Sequence, residues 1–218
     1  MAHKNMINLI KKLFPVLFSN NYDQIMIPDD CLSYVTPSKW AKKTCDIIKN
    51  LFDKYFLVMG HVMDCTACVG GDSLHLSEHF DLVTSIEIDR EVYQNLVHNI
   101  GLYQKNNIVT INDSFLNVIC KEIDCQAIYI DPPWGGKNYK NYRKLTLSID
   151  DISIEKITID ILTKKYKIRP TFIIWKLPYN YDLDYFENEI NKACYYTIIE
   201  KHIIKKMIIV TITNKNAI

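Results

Sequence analysis

Glycine is scarce in this chain: six residues in 218. No Gly-x-Gly-x-x-Gly run occurs, which removes the signature that seats a dinucleotide pyrophosphate on a helix N-terminus. No apolar run approaches the length needed to span a bilayer, so no membrane partner is expected. A secretory leader is not expected either: Lys11 and Lys12 interrupt the apolar N-terminus and no small-residue cleavage end follows. Seven cysteines, an odd number without regular spacing, exclude a disulfide framework. They point to a reducing intracellular compartment, cytoplasm or nucleus. The formal net charge is only +1, so overall charge selects no partner.

What is present is concentrated. Four of the six glycines form two pairs, Gly70-Gly71 and Gly135-Gly136, where the backbone must bend sharply or approach a ligand. The second pair closes Asp131-Pro132-Pro133-Trp134-Gly135-Gly136, directly after the apolar run Ala127–Ile130. Proline fixes φ and removes a donor, so Pro132-Pro133 ends a strand and freezes the loop beyond it. Asp131 and nearby carbonyls then become hydrogen-bond acceptors at one point, with Trp134 as a flat wall. Such a loop suits an enzyme that methylates an amine conjugated to a planar ring. Lys137, Lys140, Arg143 and Lys144 follow at once, cations available for phosphates.

Hydrophobic residues make up 48% and charged residues 23%, as in a globular domain. Periodicity predicts a helix over Met6–Phe18, weakened by Pro15, then an irregular stretch, then a helix capped by Thr36 with Pro37 at its first position. Strands and helices then alternate: strand Leu57–Met63, helix Asp72–His79, strand Val83–Ile88, helix Arg90–Ile100, strand Ile108–Ile111, helix Ser114–Ile123, strand Ala127–Ile130. Beyond the loop come a helix over Ile152–Lys165, a strand over Thr171–Leu177, a helix over Leu183–Ala193, and a hairpin of Tyr195–His202 with Met207–Thr213. This predicts a doubly wound α/β fold with a mostly parallel sheet, a C-terminal antiparallel hairpin and a small helical N-terminal cap. Residues 1–35 form the cap segment and 36–218 the main domain.

Ligands of such sheets bind at the carboxyl ends of the strands. Four successive ends carry polar sets: Asp64 to Asp72 with Gly70-Gly71, then Glu87-Ile88-Asp89, then Asn112-Asp113-Ser114-Phe115, then Asp131-Pro132-Pro133-Trp134. An acid at the second end can accept from a ribose diol. The third can bind an adenine amine and stack its ring. A single such acid is commonly a helix cap, but four in order favour a nucleoside cofactor without phosphates. S-adenosylmethionine has that chemistry.

At these residues the chain resembles the RNA cap guanosine 2-amino methyltransferases, the trimethylguanosine synthases. Pro132-Pro133-Trp134-Gly135-Gly136 matches their Pro-Pro-Trp-Gly-Gly loop and Val35-Thr36-Pro37 their Val-Thr-Pro. Leu17-Phe18-Ser19 looks like the Leu-Phe-Ser of their cap-binding segment, Val69-Gly70-Gly71 and Ile86–Asp89 fit their cofactor loops, and Pro178-Tyr179-Asn180 resembles a Pro-Arg-Asn. Three positions depart: Asp131 where eukaryotic members usually have serine, Cys68 for a frequent glycine, Tyr179 for an arginine.

The resemblance implies a class I, Rossmann-like methyltransferase that modifies the 2-amino group of a 7-methylguanosine RNA cap. Cofactor binding would fall to Thr36, Asp64, Thr66, Gly70, Gly71, Glu87, Asp89, Asp113, Ser114 and Asp131. Asp131, Pro132, Pro133 and Trp134 would form the catalytic loop, and Trp134, Tyr22, Lys137, Lys140 and Asn180 would bind substrate. Trp134 and Tyr22 are the expected faces of a base sandwich. Capped RNA is the expected partner, a monomer the expected state, and no metal is expected. An adenine 6-amino methyltransferase is the alternative enzyme, and an idle cap-binding subunit the alternative of another class.

Two motifs carry less. His75-Leu76-Ser77-Glu78-His79 has a zinc-peptidase pattern but lies on the helix leaving the first loop, where two surface histidines are expected. Cys65-x-x-Cys68 lacks a second pair and reads as packing. Trp40 and Trp175 read as core aromatics.

Overall fold

The computed structural model describes residues 2–218, apart from the side chains of Ala2, His3 and Lys137. The chain divides into two compact units, Met1–Phe115 and Leu116–Ile218. In chain order the first holds α1 (Ala2–Leu13), α2 (Ser38–Lys54), β1 (His61–Asp64), α3 (Gly71–Leu76), β2 (Leu82–Glu87), α4 (Arg90–Leu102) and β3 (Ile108–Asn112). The short α5 (Phe115–Val118) runs across the division. The second unit holds β4 (Ala127–Ile130), β5 (Ser148–Ile149), β6 (Ile152–Ser153), α6 (Ile154–Leu162), β7 (Phe172–Pro178), α7 (Leu183–Ala193), β8 (Thr197–Ile204) and β9 (Met207–Asn214). The fold is α/β and Rossmann-like: its main strands are mostly parallel, and the last two form an antiparallel hairpin.

In the first unit β2 pairs in parallel with β1 on one side and β3 on the other. This register sets Asp64 beside Ser85 and Glu87 beside Asn112. Periodic burial explains α2: Ala41, Cys45, Ile48 and Phe52 recur on one face and are buried. Its start corrects the expected cap. Pro37 occupies the cap position, and the Thr36 hydroxyl donates instead to Asp72 Oδ2 at 3.0 Å. At its end Phe56 takes a left-handed φ of +55°, which stops the helix and delays β1 to His61. Helix α1 ends at Leu13, ahead of Pro15, because a proline ring clashes with the preceding turn.

The N-terminal segment packs into this unit's core. Ile10, Leu13, Phe14, Leu17, Tyr22 and Ile25 join Val69, Leu74, Leu96 and Ile100 in one buried cluster. Asn99, buried on α4, stitches segment to loop: its side chain accepts from Met26 N–H and donates to the carbonyls of Met26 and Val69.

In the second unit the strand order is β4, β7, β9, β8. Strand β4 runs parallel to β7, while β9 lies antiparallel to both β7 and β8. Strands β4 and β7 are buried along their whole length, as a central position requires. The helix expected over Ile152–Lys165 is shorter, because Asp150 and Asp151 take left-handed φ values and close a small β5–β6 hairpin first. Ser153 then caps α6 by accepting from Lys156 N–H. The helix expected over Ser114–Ile123 is only the single turn of α5. Among the described residues no helix is long and apolar enough to cross a membrane.

Candidate active site

In the first unit β1 delivers Asp64, whose surface is 1% exposed. Ser73 Oγ donates to its carboxylate at 2.6 Å and Thr66 N–H at 3.4 Å, and Ser85 Oγ donates to Ser73 Oγ at 2.8 Å. Asp64 therefore braces the following loop against the first turn of α3. That loop reverses through two left-handed residues, Cys68 at φ +47° and Gly70 at φ +94°. At φ +94° an L side chain at position 70 would be strained, and its Cβ, 2.9 Å from Leu96 Cδ1, would also require that leucine side chain to shift. The same handedness explains why glycine would serve easily at position 68.

Glu87 ends β2. One carboxylate oxygen accepts from Cys68 N–H and the other from Asp89 N–H, both at 2.9 Å. Burial pushes its carboxyl above the ordinary glutamate range, more than those amides lower it. Asn112 donates to the carbonyls of Glu87 and Ile88, tying the end of β3 to that of β2. Asp89 is the cap of α4, its Oδ1 accepting from Glu91 and Val92 N–H. Asp113 accepts from Ser114 N–H at 2.8 Å. Two aromatics depart from expectation. Phe115 is 3% exposed and Tyr22 6%, so both rings pack in the interior instead of presenting an open face. The Tyr22 hydroxyl is committed to Leu17 N–H at 2.9 Å. Phe18, nearby in the chain, is fully exposed.

This half suits a nucleoside. A carboxylate held as Glu87 is can accept hydrogen bonds from a diol and repels a phosphate.

In the second unit Asp131 follows β4, and Lys176 of β7 meets it with Nζ 2.5 Å from Oδ2. Ile130 is in register with Trp175, so the next residues, Asp131 and Lys176, lie side by side. Pro132 is buried and Pro133 exposed. The Trp134 ring meets Tyr139 edge-on, centroids 5.3 Å apart. Gly135 and Gly136, at φ +85° and +68°, reverse the chain into a 3-10 turn ending at Asn141.

Asn180 holds that turn, its amide donating to the carbonyls of Tyr139 (2.8 Å) and Tyr142 (2.7 Å). Two buried polar atoms here, Trp134 Nε1 and Asn180 Oδ1, have no hydrogen-bond partner among the described residues. Lys140 Nζ sits 5.6 Å above the Tyr139 ring. Burial, then the neighbouring Tyr179, push the Tyr139 hydroxyl up. The Lys137 side chain lies outside the described residues.

Three residues that sequence reasoning passed over now matter: Ser73, Ser85 and Lys176. Only Lys176 left a trace, as the lone charge in the apolar run of β7. The histidine motif also differs from expectation. His75 is buried with Nε2 2.9 Å from Ser38 Oγ, and burial lowers its pKa. Among the described residues no group of three or more His, Cys, Asp or Glu side chains is placed to hold a metal ion. Trp175 is core, its Nε1 donating to Thr158, whereas Trp40 is half-buried under the ammonium groups of Lys39 and Lys43. Cys65 packs in the interior, and all seven cysteines are free.

Residues 59–216 match the model of a family described as RNA cap guanine-N2 methyltransferase. Over 228 residues the chain is 31% identical to an uncharacterized protein of Acanthamoeba polyphaga mimivirus, covering 94% of this chain and 86% of that one. Among solved structures it resembles a precorrin-6y C5,15-methyltransferase of Geobacter metallireducens, with TM-score 0.60 at 10% identity over 92% of this chain and 97% of the other. A proposed RNA methyltransferase of Pyrococcus horikoshii superimposes with TM-score 0.57 at 14% identity, over 97% and 98% of the two chains. At these identities the structural likeness establishes the fold alone.

Proposed function

The chain belongs to the RNA cap guanine-N2 methyltransferase family, and from that premise we propose that it methylates the exocyclic 2-amino group of a 7-methylguanosine RNA cap. It is a methyltransferase, and family and fold together imply S-adenosylmethionine as donor. The observation that carries the finer reading is the Asp131–Trp134 loop, which presents a carboxylate and an indole within four residues of the end of β4, followed by a turn that the Asn180 amide holds.

Each part has a task. Glu87 would hold the donor's ribose, with Asp64 and the Cys68–Gly71 loop fixing the backbone around it. Thr36, Thr66, Asp89, Asp113 and Ser114 complete that set, Asp89 also serving as the cap of α4. Trp134 supplies a face for the base. 7-Methylguanine is cationic, so stacking on indole gains a cation–π contribution of about 2 kcal/mol when desolvated. Asp131 accepts from the amine and aims its lone pair. Asn180 Oδ1 and Lys140 would serve polar and phosphate groups. The donor, once bound, would supply an electrophilic methyl on a sulfonium whose sulfur keeps the C–S pair; Asp131 would hold the attacking amine, and the amine's surplus proton would pass to water. Alignment of those reactants, rather than a strong base, supplies most of the acceleration.

A substrate panel tests the reading: 7-methylated cap analogue, unmethylated cap and an adenine oligonucleotide, each with S-adenosylmethionine. The methylated cap should be turned over fastest. Equal rates for the two caps would remove the cap specificity. Preference for adenine would transfer the assignment to adenine 6-amino methylation, for which Asp131 is the supporting residue.

A further inference from the structure

We propose that Lys176 is a positioning residue for methyl transfer, keeping Asp131 ionised and fixed so that it can aim the acceptor amine. The inference rests on the reading of Asp131 given above.

Trp175 directs its indole to Thr158 on α6, so Lys176, the next residue of the strand, projects to the opposite face. There it reaches Asp131 at 2.5 Å. The two partners are unequally enclosed: the Lys176 side chain is 3% exposed and that of Asp131 21%. Only the carboxylate side of the pair is open to an incoming group, and the ammonium acts through it.

A carboxylate at the end of a buried strand, deprived of its cation, takes up a proton. A carboxylic acid donates a hydrogen bond, and it would then compete for the amine lone pair instead of accepting an amine hydrogen. Lys176 prevents this, and its ammonium holds one Asp131 oxygen in place. The pair also accounts for a departure noted in the sequence. Where serine stands in the resembling enzymes no counter-charge is needed, whereas aspartate at this depth requires one.

The test compares Lys176→Met, Asp131→Ser and the double variant, using whichever of the three panel acceptors the wild-type chain turns over fastest. A wild type that prefers adenine thus sinks the cap reading and leaves this test intact. Lys176→Met should lower kcat on the order of a hundred-fold while the acceptor KM stays within about threefold. The acid limb of its kcat–pH profile should move to higher pH, because the Asp131 carboxyl has lost its cation. Added to Asp131→Ser, the lysine change should cost nothing further.

A folded Lys176→Met enzyme with wild-type kcat and an unmoved acid limb overturns the proposal. So does a double variant impaired relative to Asp131→Ser as much as Lys176→Met is relative to wild type. If Lys176→Met does not fold, Lys176→Arg decides, since it keeps the cation and moves its point of attachment. A lowered kcat with the acid limb in place supports the role, and an unchanged kcat overturns it.

Discussion

At the end of β2 both oxygens of Glu87 accept backbone amides, while in the second unit Trp134 Nε1 and Asn180 Oδ1 are buried with no partner among the described residues. Around Asp64 a chain of two serines is likewise closed upon itself. An unmet buried polar atom costs about 1–3 kcal/mol, so folding alone does not favour leaving two of them. The oxygens of Glu87 are met within the protein, whereas Trp134 Nε1 and Asn180 Oδ1 carry unmet demand that a ligand can meet. A donor common to many reactions suits the former, and a discriminated acceptor the latter.

Asp131→Ala attacks the open side hardest. The carboxylate that aims the amine is gone while Trp134 remains, so kcat should fall on the order of a hundred-fold with cofactor affinity retained. Asp131→Ser should keep much more activity. Single-turnover kinetics with separately measured cofactor binding checks both, and equal loss in the two variants would contradict the role of Asp131.

Trp134→Ala comes next. Stacking on one base is worth about 1–3 kcal/mol, so cap affinity should drop roughly five- to hundred-fold while cofactor affinity holds. Fluorescence titration with a 7-methylated cap analogue measures it. Normal cap binding by this variant would show that the indole is only packing.

On the closed side Glu87→Gln should weaken S-adenosylmethionine about ten-fold, from one charged hydrogen-bond acceptor. Because burial raises the Glu87 carboxyl, its proton is lost only above the ordinary glutamate range. Cofactor affinity should therefore rise with pH through that window and fall away below it, and Glu87→Gln should flatten the dependence. The folded state also binds this proton more tightly than the unfolded chain, so fold stability declines as pH rises through the same window. Calorimetry across pH distinguishes the variants, and a pH-independent wild type would disprove the role.

The smallest effect is expected at Cys68. Glycine there relieves a left-handed φ worth about 1–2 kcal/mol but adds unfolded-chain entropy of similar size, leaving Tm within a few degrees. A large loss of stability would mean that the thiol itself holds the loop.

The two regions were also unequally legible. Pro-Pro and Gly-Gly restrict the backbone by themselves, so the loop after β4 stood out in the sequence. The parallel alternation of strands could be read from periodicity alone. Lys176 could not: its partner lies far off in sequence, and only the β4–β7 register sets them together. Tyr22 and Phe115 show a second limit. An aromatic beside a motif has one composition whether it stacks on a ligand or fills the core, and neighbours distant in sequence decide which. Local hydrogen bonding favours Thr36 as a cap, but its hydroxyl donates to Asp72, far off in sequence.

Asn99 grips both the amide and the carbonyl of Met26 while also holding Val69 of the loop after β1. Detaching the N-terminal segment and loosening that loop are therefore one cooperative opening. A molecule that binds the ordered loop shifts this equilibrium by mass action. The Met26 amide, in a part of the chain that carries none of the strand-end acids, should exchange its hydrogen more slowly once the loop is filled. That single peptide group reports occupancy at a distance, without any assay of chemistry.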